Sequence, residues 1–357
     1  MQIKMSSFIK KEMLHILRDK RTMLVVLVIP MMLILLFGFT VSTDINNIPM
    51  AACAPHRSYA VHQTIGKLDN NPYFDFRGFI DASEIDHALR TAKVSAVIVF
   101  ADDYATSGNY QLLLDGADVN TASTSQAYLQ NAINSHLSTL NSQFSPFHLR
   151  MLFNPQMKSA FNFVPGIMGM IFLLICAMMT SISIVKEKET GTMEVLLVSP
   201  VKPIYIIISK MVPYLLLSFI DLLIILALAY FALDVPLAGG VGNIILISII
   251  YLILSLALGM MVSNVVQSQI AALLISAMVM MMPVLFFSGL MFPIENLPWA
   301  LRWITYIVPA RWYIDAMRKL MIEGVAFAGV WLETLILVVE TIVLMAASVK
   351  RFNDKLE

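Results

Sequence analysis

The chain has 357 residues, of which 58% are hydrophobic and only 13% charged, with a mean hydropathy of +0.77. A soluble domain carries roughly 25% charged residues, so a soluble globular protein is excluded, as is a disordered chain, which needs low hydrophobicity. The 24 basic and 24 acidic residues cancel, leaving no basic surplus for a nucleic acid, and two cysteines, Cys53 and Cys176, cannot build a disulfide framework.

Residues 3–18 repeat Met5, Phe8, Ile9, Met13 and Ile16 at helical spacing, with Lys4, Lys11, His15 and Arg18 on the opposite face. This predicts a basic amphipathic helix at the cytoplasmic lipid surface; an unstructured basic flank is the alternative. Residues 23–41 carry no charge and follow Arg18, Lys20 and Arg21. A bilayer core takes about 20 apolar residues in helix, so this is a first span. A cleaved signal peptide would have a shorter apolar run and an A-x-A-like site after it; a retained anchor fits better.

Residues 43–160 read as the one water-soluble region, of a size that suits one small domain. Strand patterns over 50–54, 94–100 and 110–114 and helical patterns over 83–92 and 121–140 make it α/β. Uncharged blocks follow at 162–185, 204–231 (interrupted by Lys210 and Asp221), 244–291 and 330–349. The block 244–291 is long enough for two spans, and Ser263, Asn264, Gln267, Ser268 and Gln269 mark the polar turn between them. The expected fold is thus a polytopic α-helical membrane protein: six transmembrane helices, with a small α/β extracytoplasmic domain between the first and second.

With six spans both termini lie on one side. That side collects Lys10, Lys11, Arg18, Lys186, Lys188, Lys350 and Arg351 among its basic residues, while the short loop 232–242 has none. The positive-inside rule makes the termini cytoplasmic. Arg302, Arg311, Arg318 and Lys319 then fall on the outer side, so 291–326 is read as helices lying in the outer interface. Trp299, Trp303, Trp312 and Trp331 are expected at one depth there, as an aromatic belt.

The loop after the second span reads KEKETGTMEVLLVSPVKP, residues 186–203. Gly191 breaks the helix and Thr192 is placed to cap a new short one, which Pro200 and Pro203 stop. Val195, Leu196, Leu197 and Val198 would stand together in water, which suits a docking surface for a partner better than a plain interhelical loop.

Catalytic motifs are missing: no G-x-x-x-x-G-K-[ST], H-E-x-x-H, C-x-x-C or G-x-S-x-G occurs. Cys53, His56 and His62 follow no recognised metal-ligand spacing, and the 25 methionines are read as flexible apolar packing. Two acids sit inside spans, Asp221 and Glu340. Intramembrane acids usually face a bundle interior or a wet cavity. They could serve a proton or cation relay or contact a substrate, or be protonated and hydrogen-bonded to a neighbouring helix. Glu333 lies seven residues before Glu340, on the same helix face.

Four segments in order carry a resemblance. Residues 8–30, FIKKEMLHILRDKRTMLVVLVIP, resemble the N-terminal elbow and first span of type-2 ABC exporter permeases, with Phe8, Lys11 and Glu12 in the elbow helix. Residues 112–122, LLLDGADVNTA, resemble the external-domain motif of the drug-exporter branch. Residues 185–200, VKEKETGTMEVLLVSP, resemble the family's coupling segment. Residues 287–297, FSGLMFPIENL, with 306–309 beyond them, resemble its outer re-entrant region. The resemblance implies a bacterial inner-membrane, multi-pass, non-catalytic subunit. Two permeases, identical or paralogous, form a dimer around a translocation path, and separate cytoplasmic ATP-binding subunits bind the ATP and Mg. It places Glu187, Glu189, Gly191, Thr192, Glu194 and Leu197 at the coupling contact, the three glutamates facing basic residues of the ATPase. It implies efflux of drugs or other amphipathic compounds and, through the external domain, a periplasmic adaptor. The chain itself would bind no cofactor and no metal. Two other readings stay open: an ion-coupled transporter or channel using Asp221 and Glu340, and a membrane sensor with 43–160 as its receptor domain.

Overall fold

The computed structural model describes residues 5–40, 48–91, 93–115, 119–140, 158–192, 203–292, 294 and 297–353. They divide into two compact units: residues 42–158, and the remainder of the chain.

The chain opens with α1 (Met5–Arg18) and α2 (Lys20–Thr40). Asp19 separates them, its carbonyl accepting the Met23 N–H at 3.0 Å, as the residue before a helix start does. The axes of α1 and of the apolar part of α2 meet at 67°. The amphipathic pattern accompanies this bend: α1 buries Glu12 and Ile16 and leaves its basic residues exposed, whereas α2 from Met23 on is apolar all round.

The 42–158 unit holds β1 (Ile48–Cys53), α3 (Tyr59–Asp69), β2 (Phe74–Phe79), α4 (Ile85–Arg90), β3 (Ala96–Phe100), α5 (Tyr104–Ser107), β4 (Tyr110–Leu114) and α6 (Val119–Leu140). The sheet order is β2-β1-β3-β4, with the first three strands parallel and β4 antiparallel to β3. Parallel neighbours need helical crossovers that cover the faces, and α3 and α4 supply them. β1 is accordingly apolar on both faces. Met50 and Ala52 pack with Val61, Ile65, Leu68, Leu129 and Ile133 of α3 and α6, while Ala51 and Cys53 pack with Ala88 of α4. Inside the larger core, Thr64 Oγ1 and Tyr104 Oη share a buried 2.9 Å hydrogen bond. The strands expected at 50–54, 94–100 and 110–114 are present; α3, β2 and α5 are additions.

The second unit continues with α7 (Ser159–Glu189), α8 (Pro203–Phe231), α9 (Val241–Ser263), α10 (Gln269–Phe287), α11 (Trp299–Thr305), α12 (Pro309–Arg318) and α13 (Trp331–Asn353). Five of these helices are long and apolar enough to cross a membrane, and six if the bent α1–α2 pair counts as one. The polar turn expected inside 244–291 is where α9 ends and α10 begins. α7 lies centrally, against α2, α8, α9, α10 and α12. Its contact with α9 requires glycine: a methyl group at Gly259 would overlap the backbone of Ala177. Tyr251 of α9 stacks on Tyr313 of α12 at 4.1 Å and donates to the Gly169 carbonyl of α7 at 2.8 Å. α10 by contrast buries only Ala272, Ser276, Met280 and Val284, a stripe one residue wide. Its other faces are apolar and exposed, as expected where lipid or a second chain replaces water.

Within the segment 291–326 read as helices, 299–305, 309–318 and 319–323 are helical, and the segment is tightly tied. Lys319 Nζ lies 2.6 Å from Glu333 Oε1 and 3.0 Å from Asp315 Oδ2. Arg318 Nη2 donates to the Gly289 carbonyl at 2.8 Å, and the Gly239 N–H donates to the Leu320 carbonyl at 2.7 Å. The four tryptophans read as a belt differ in burial. Trp299, Trp303 and Trp331 are exposed, but Trp312 is only 9% exposed. Its Nε1 donates to the Tyr306 carbonyl at 3.1 Å, and Arg311 stacks over its ring. Trp312 falls on the inward face of α12.

Candidate functional site

The resemblance points to the elbow helix and the end of the second span, and the structure joins them through a residue the sequence reading left unassigned. Lys210 lies in the second turn of α8, inside an apolar run, with a side chain only 4% exposed. It is paired on two sides: Glu187 Oε1 of α7 is 2.9 Å from its Nζ, and Glu12 Oε2 of α1 is 3.7 Å away. A lone buried ammonium would be very costly, and the two carboxylates offset that cost. Glu12 in turn is buried at 9%, on the inward face of an otherwise basic helix. Lys11 reaches Glu12 Oε1 at 3.7 Å but is 61% exposed, so that pair contributes little. Phe8 is half-buried one turn earlier on α1.

The last turn of α7 is built for a defined stop. Gly191 has φ +72°, a left-handed conformation that glycine adopts without strain and that commonly ends a helix. The Gly191 N–H donates to the Lys188 carbonyl at 3.2 Å, and Thr190 Oγ1 to the Lys186 carbonyl at 2.8 Å. Thr192 was read as the cap of a following helix. Its hydroxyl donates back to the Glu187 carbonyl at 3.3 Å, and the residues it would cap lie outside the described residues. Glu194 and Leu197, the other two coupling candidates, lie outside the described residues.

Two further contacts anchor this end to the α9–α10 turn. Lys188 Nζ donates to the Ser263 carbonyl. Glu189 Oε2 accepts from Gln269 Nε2 at 2.6 Å and from the Gln269 backbone N–H at 3.4 Å. So Glu187 and Glu189, expected to face basic residues of another subunit, have partners within the chain. Between α1, α7 and α8 lies a cavity of about 540 Å³, lined by Glu12, Ser183, Glu187, Lys210 and Tyr214 among others.

The intramembrane acids are placed elsewhere. Asp221, 2% exposed on α8, has an Oδ1 with no hydrogen-bond partner among the described residues, and Glu340 on α13 has an equally unpartnered Oε2. No hydrogen bond or ion pair among the described residues joins the two. Glu333, on the same face as Glu340, is taken up by Lys319. The Cys53, His56 and His62 group does not converge, and the described residues hold no cluster of three metal-ligating side chains. Lys210 was detectable in principle, since a lysine within an apolar span needs a counter-charge; which carboxylates supply it depends on how the helices pack.

Comparison with known proteins completes the description. The family described as "ABC-2 family transporter protein" matches residues 20–350. The Escherichia coli K12 protein named "Probable multidrug ABC transporter permease YbhS" is 26% identical over 328 residues, covering 88% of this chain and 87% of that protein. "Probable multidrug ABC transporter permease YbhR" of the same strain is 26% identical over 361 residues, 98% of each. "Inner membrane transport permease YhhJ", also of K12, is 22% identical over 346 residues, 90% of this chain and 89% of that protein. With the family match extending from the start of α2 into the last turn of α13, the chain belongs to the ABC-2 family of transporter proteins.

Proposed function

We propose that this chain is the permease subunit of an ATP-driven exporter that clears drugs or other amphipathic compounds from the cytoplasm. The names of the YbhS and YbhR proteins support the substrate class. Two copies, or this chain and a paralogue, enclose the path. Each copy has six spans, counting the bent α1–α2 pair as one, with cytoplasmic termini and residues 43–160 outside a bacterial inner membrane. A periplasmic adaptor on that domain completes the assembly. The chain catalyses nothing; a separate cytoplasmic subunit binds ATP and Mg.

The observation that carries the coupling reading is the Glu12–Lys210–Glu187 cluster. It ties the elbow helix, the end of α7 and the start of α8 into one body through charges that cannot separate without leaving one of them buried and unpaired. A push on the segment after Gly191 is therefore felt by α1 and α8 together. On this reading Gly191, Thr192, Glu194 and Leu197 face the ATPase, while Glu187 and Glu189 pass its movement inward. The ion-coupled alternative rests on Asp221 and Glu340 alone and is not favoured by membership of the ABC-2 family.

The test is co-purification of the tagged chain with the ATP-binding subunit, followed by drug-stimulated ATP hydrolysis. The parent is expected to hold the subunit and respond to drug. Leu197→Asp is expected to lose the subunit. Glu12→Gln is expected to keep the subunit and lose the drug response. A parent chain that transports without any ATP-binding subunit would overturn the proposal.

A further inference from the structure

α1 is divided into three stripes. Glu12 and Ile16 face inward. Leu14 and Leu17 are 42% and 49% exposed. Lys11, His15 and Arg18, spaced i, i+4, i+7, form a third, exposed stripe beside the leucines. Across from this basic stripe stands Lys186, exposed near the end of α7. Together they line a cleft of about 640 Å³, completed by Leu14 and by Asp19. Three permanent cations and a histidine thus meet one carboxylate. Lys11 shares the distant contact with Glu12. Among the described residues, no ion pair engages His15, Arg18 or Lys186.

We propose that this cleft seats the phosphate of an anionic phospholipid from the adjoining leaflet. Basic pockets between helices on the cytoplasmic side suit such headgroups. The neighbouring leucines decide between a lipid and an acidic protein surface. Leu14 lines the cleft itself and Leu17 continues its exposed apolar edge, which suits the acyl chains of the lipid whose phosphate is held. α2 continues the apolar exposure with Leu24, Val28 and Met32. Lys186 extends from α7 directly before Glu187, so a lipid bound here would brace the elbow against α7. The proposal rests on the cytoplasmic placement of α1 and the end of α7 proposed above, and not on what is exported.

Native mass spectrometry of the full chain in detergent, with phosphatidylglycerol or phosphatidylcholine of matched acyl chains, tests it. The parent is expected to retain phosphatidylglycerol preferentially. Each basic side chain at an anionic surface strengthens attachment roughly fivefold, so Arg18→Gln with Lys186→Gln should weaken retention by about 25-fold and leave phosphatidylcholine unchanged. Lys186→Arg should behave as the parent. If the double variant melts early, Lys186→Gln alone must still weaken retention by about fivefold. Equal retention of the two lipids by the parent overturns the proposal. So does full displacement by millimolar inorganic phosphate, which marks a free-anion site, or a double variant that keeps phosphatidylglycerol but loses the ATP-binding subunit, which marks a protein dock.

Discussion

Lys210 Nζ and Glu187 Oε1 lie 2.9 Å apart, between two helices, with the lysine side chain 4% and the glutamate 16% exposed. Such a pair is weak evidence of net stabilisation, because desolvation offsets attraction, yet removing one partner strands the other. Lys210→Met is therefore expected to lower stability by about 3–5 kcal/mol, and Lys210→Met with Glu12→Gln and Glu187→Gln by much less. Thermal unfolding in detergent checks this; equal losses in the single and triple variants would show that the cluster is not electrostatically coupled.

Gly191 holds φ +72°, and among the described residues nothing lies within 4 Å of where its Cβ would stand. A side chain there meets backbone strain and no steric block. Gly191→Ala should cost about 1 kcal/mol and Gly191→Asn less, since asparagine visits this region. Gly191→Val should cost most and uncouple ATP hydrolysis from drug if the bend directs the following segment. Drug-stimulated turnover across the three variants, with the bound ATP-binding subunit quantified, reads the order.

Lys319 provides a pH signature. Burial alone would lower its pKa, but the hydrogen bonds to Glu333 and Asp315 outweigh this and hold the ammonium above the usual lysine range. A raised folded value contributes stability that is full below the unfolded lysine value of about 10.4 and disappears as pH rises through the folded one. Lys319→Met should lower stability by about 1–3 kcal/mol at neutral pH. Melts at pH 7, 9 and 11 should show a constant gap to the parent at the first two and a narrower gap at the third.

Asp221→Asn and Glu340→Gln separate ATP-driven from ion-driven transport. Both replacements keep volume and hydrogen-bonding capacity while removing the ionisable proton. ATP-dependent efflux from vesicles is expected to survive each. Loss of efflux in either, with ATP hydrolysis intact and an ion-gradient requirement in the parent, would revive the ion-coupled reading.

Much of the architecture was legible because a bilayer imposes coarse rules. Uncharged runs near 20 residues mark spans, and the polar cluster from Ser263 to Gln269 marks the turn between α9 and α10. Within 42–158, β3 was legible as a short apolar run. α3 was missed although Val61, Ile65 and Leu68 follow a capping Ser58 at helical spacing. β2 was missed because FDFRGF mixes charges into a strand whose burial is only partial.

The sequence by itself determined the membrane class, the positions of most spans, the stop at Gly191 and the family, since each depends on local composition, local backbone conformation or a run of consecutive residues. Only the tertiary structure decided what the charges do. Glu12, Glu187 and Lys210 are far apart in the chain and individually look like elbow, coupling and span residues. Glu333 pairs with Lys319 and not with anything near Glu340, and Trp312 turns inward while the other tryptophans face out. A buried charge takes its meaning from whichever opposite charge packing brings within about 4 Å, and that distance is set by helices contributed from separate parts of the chain.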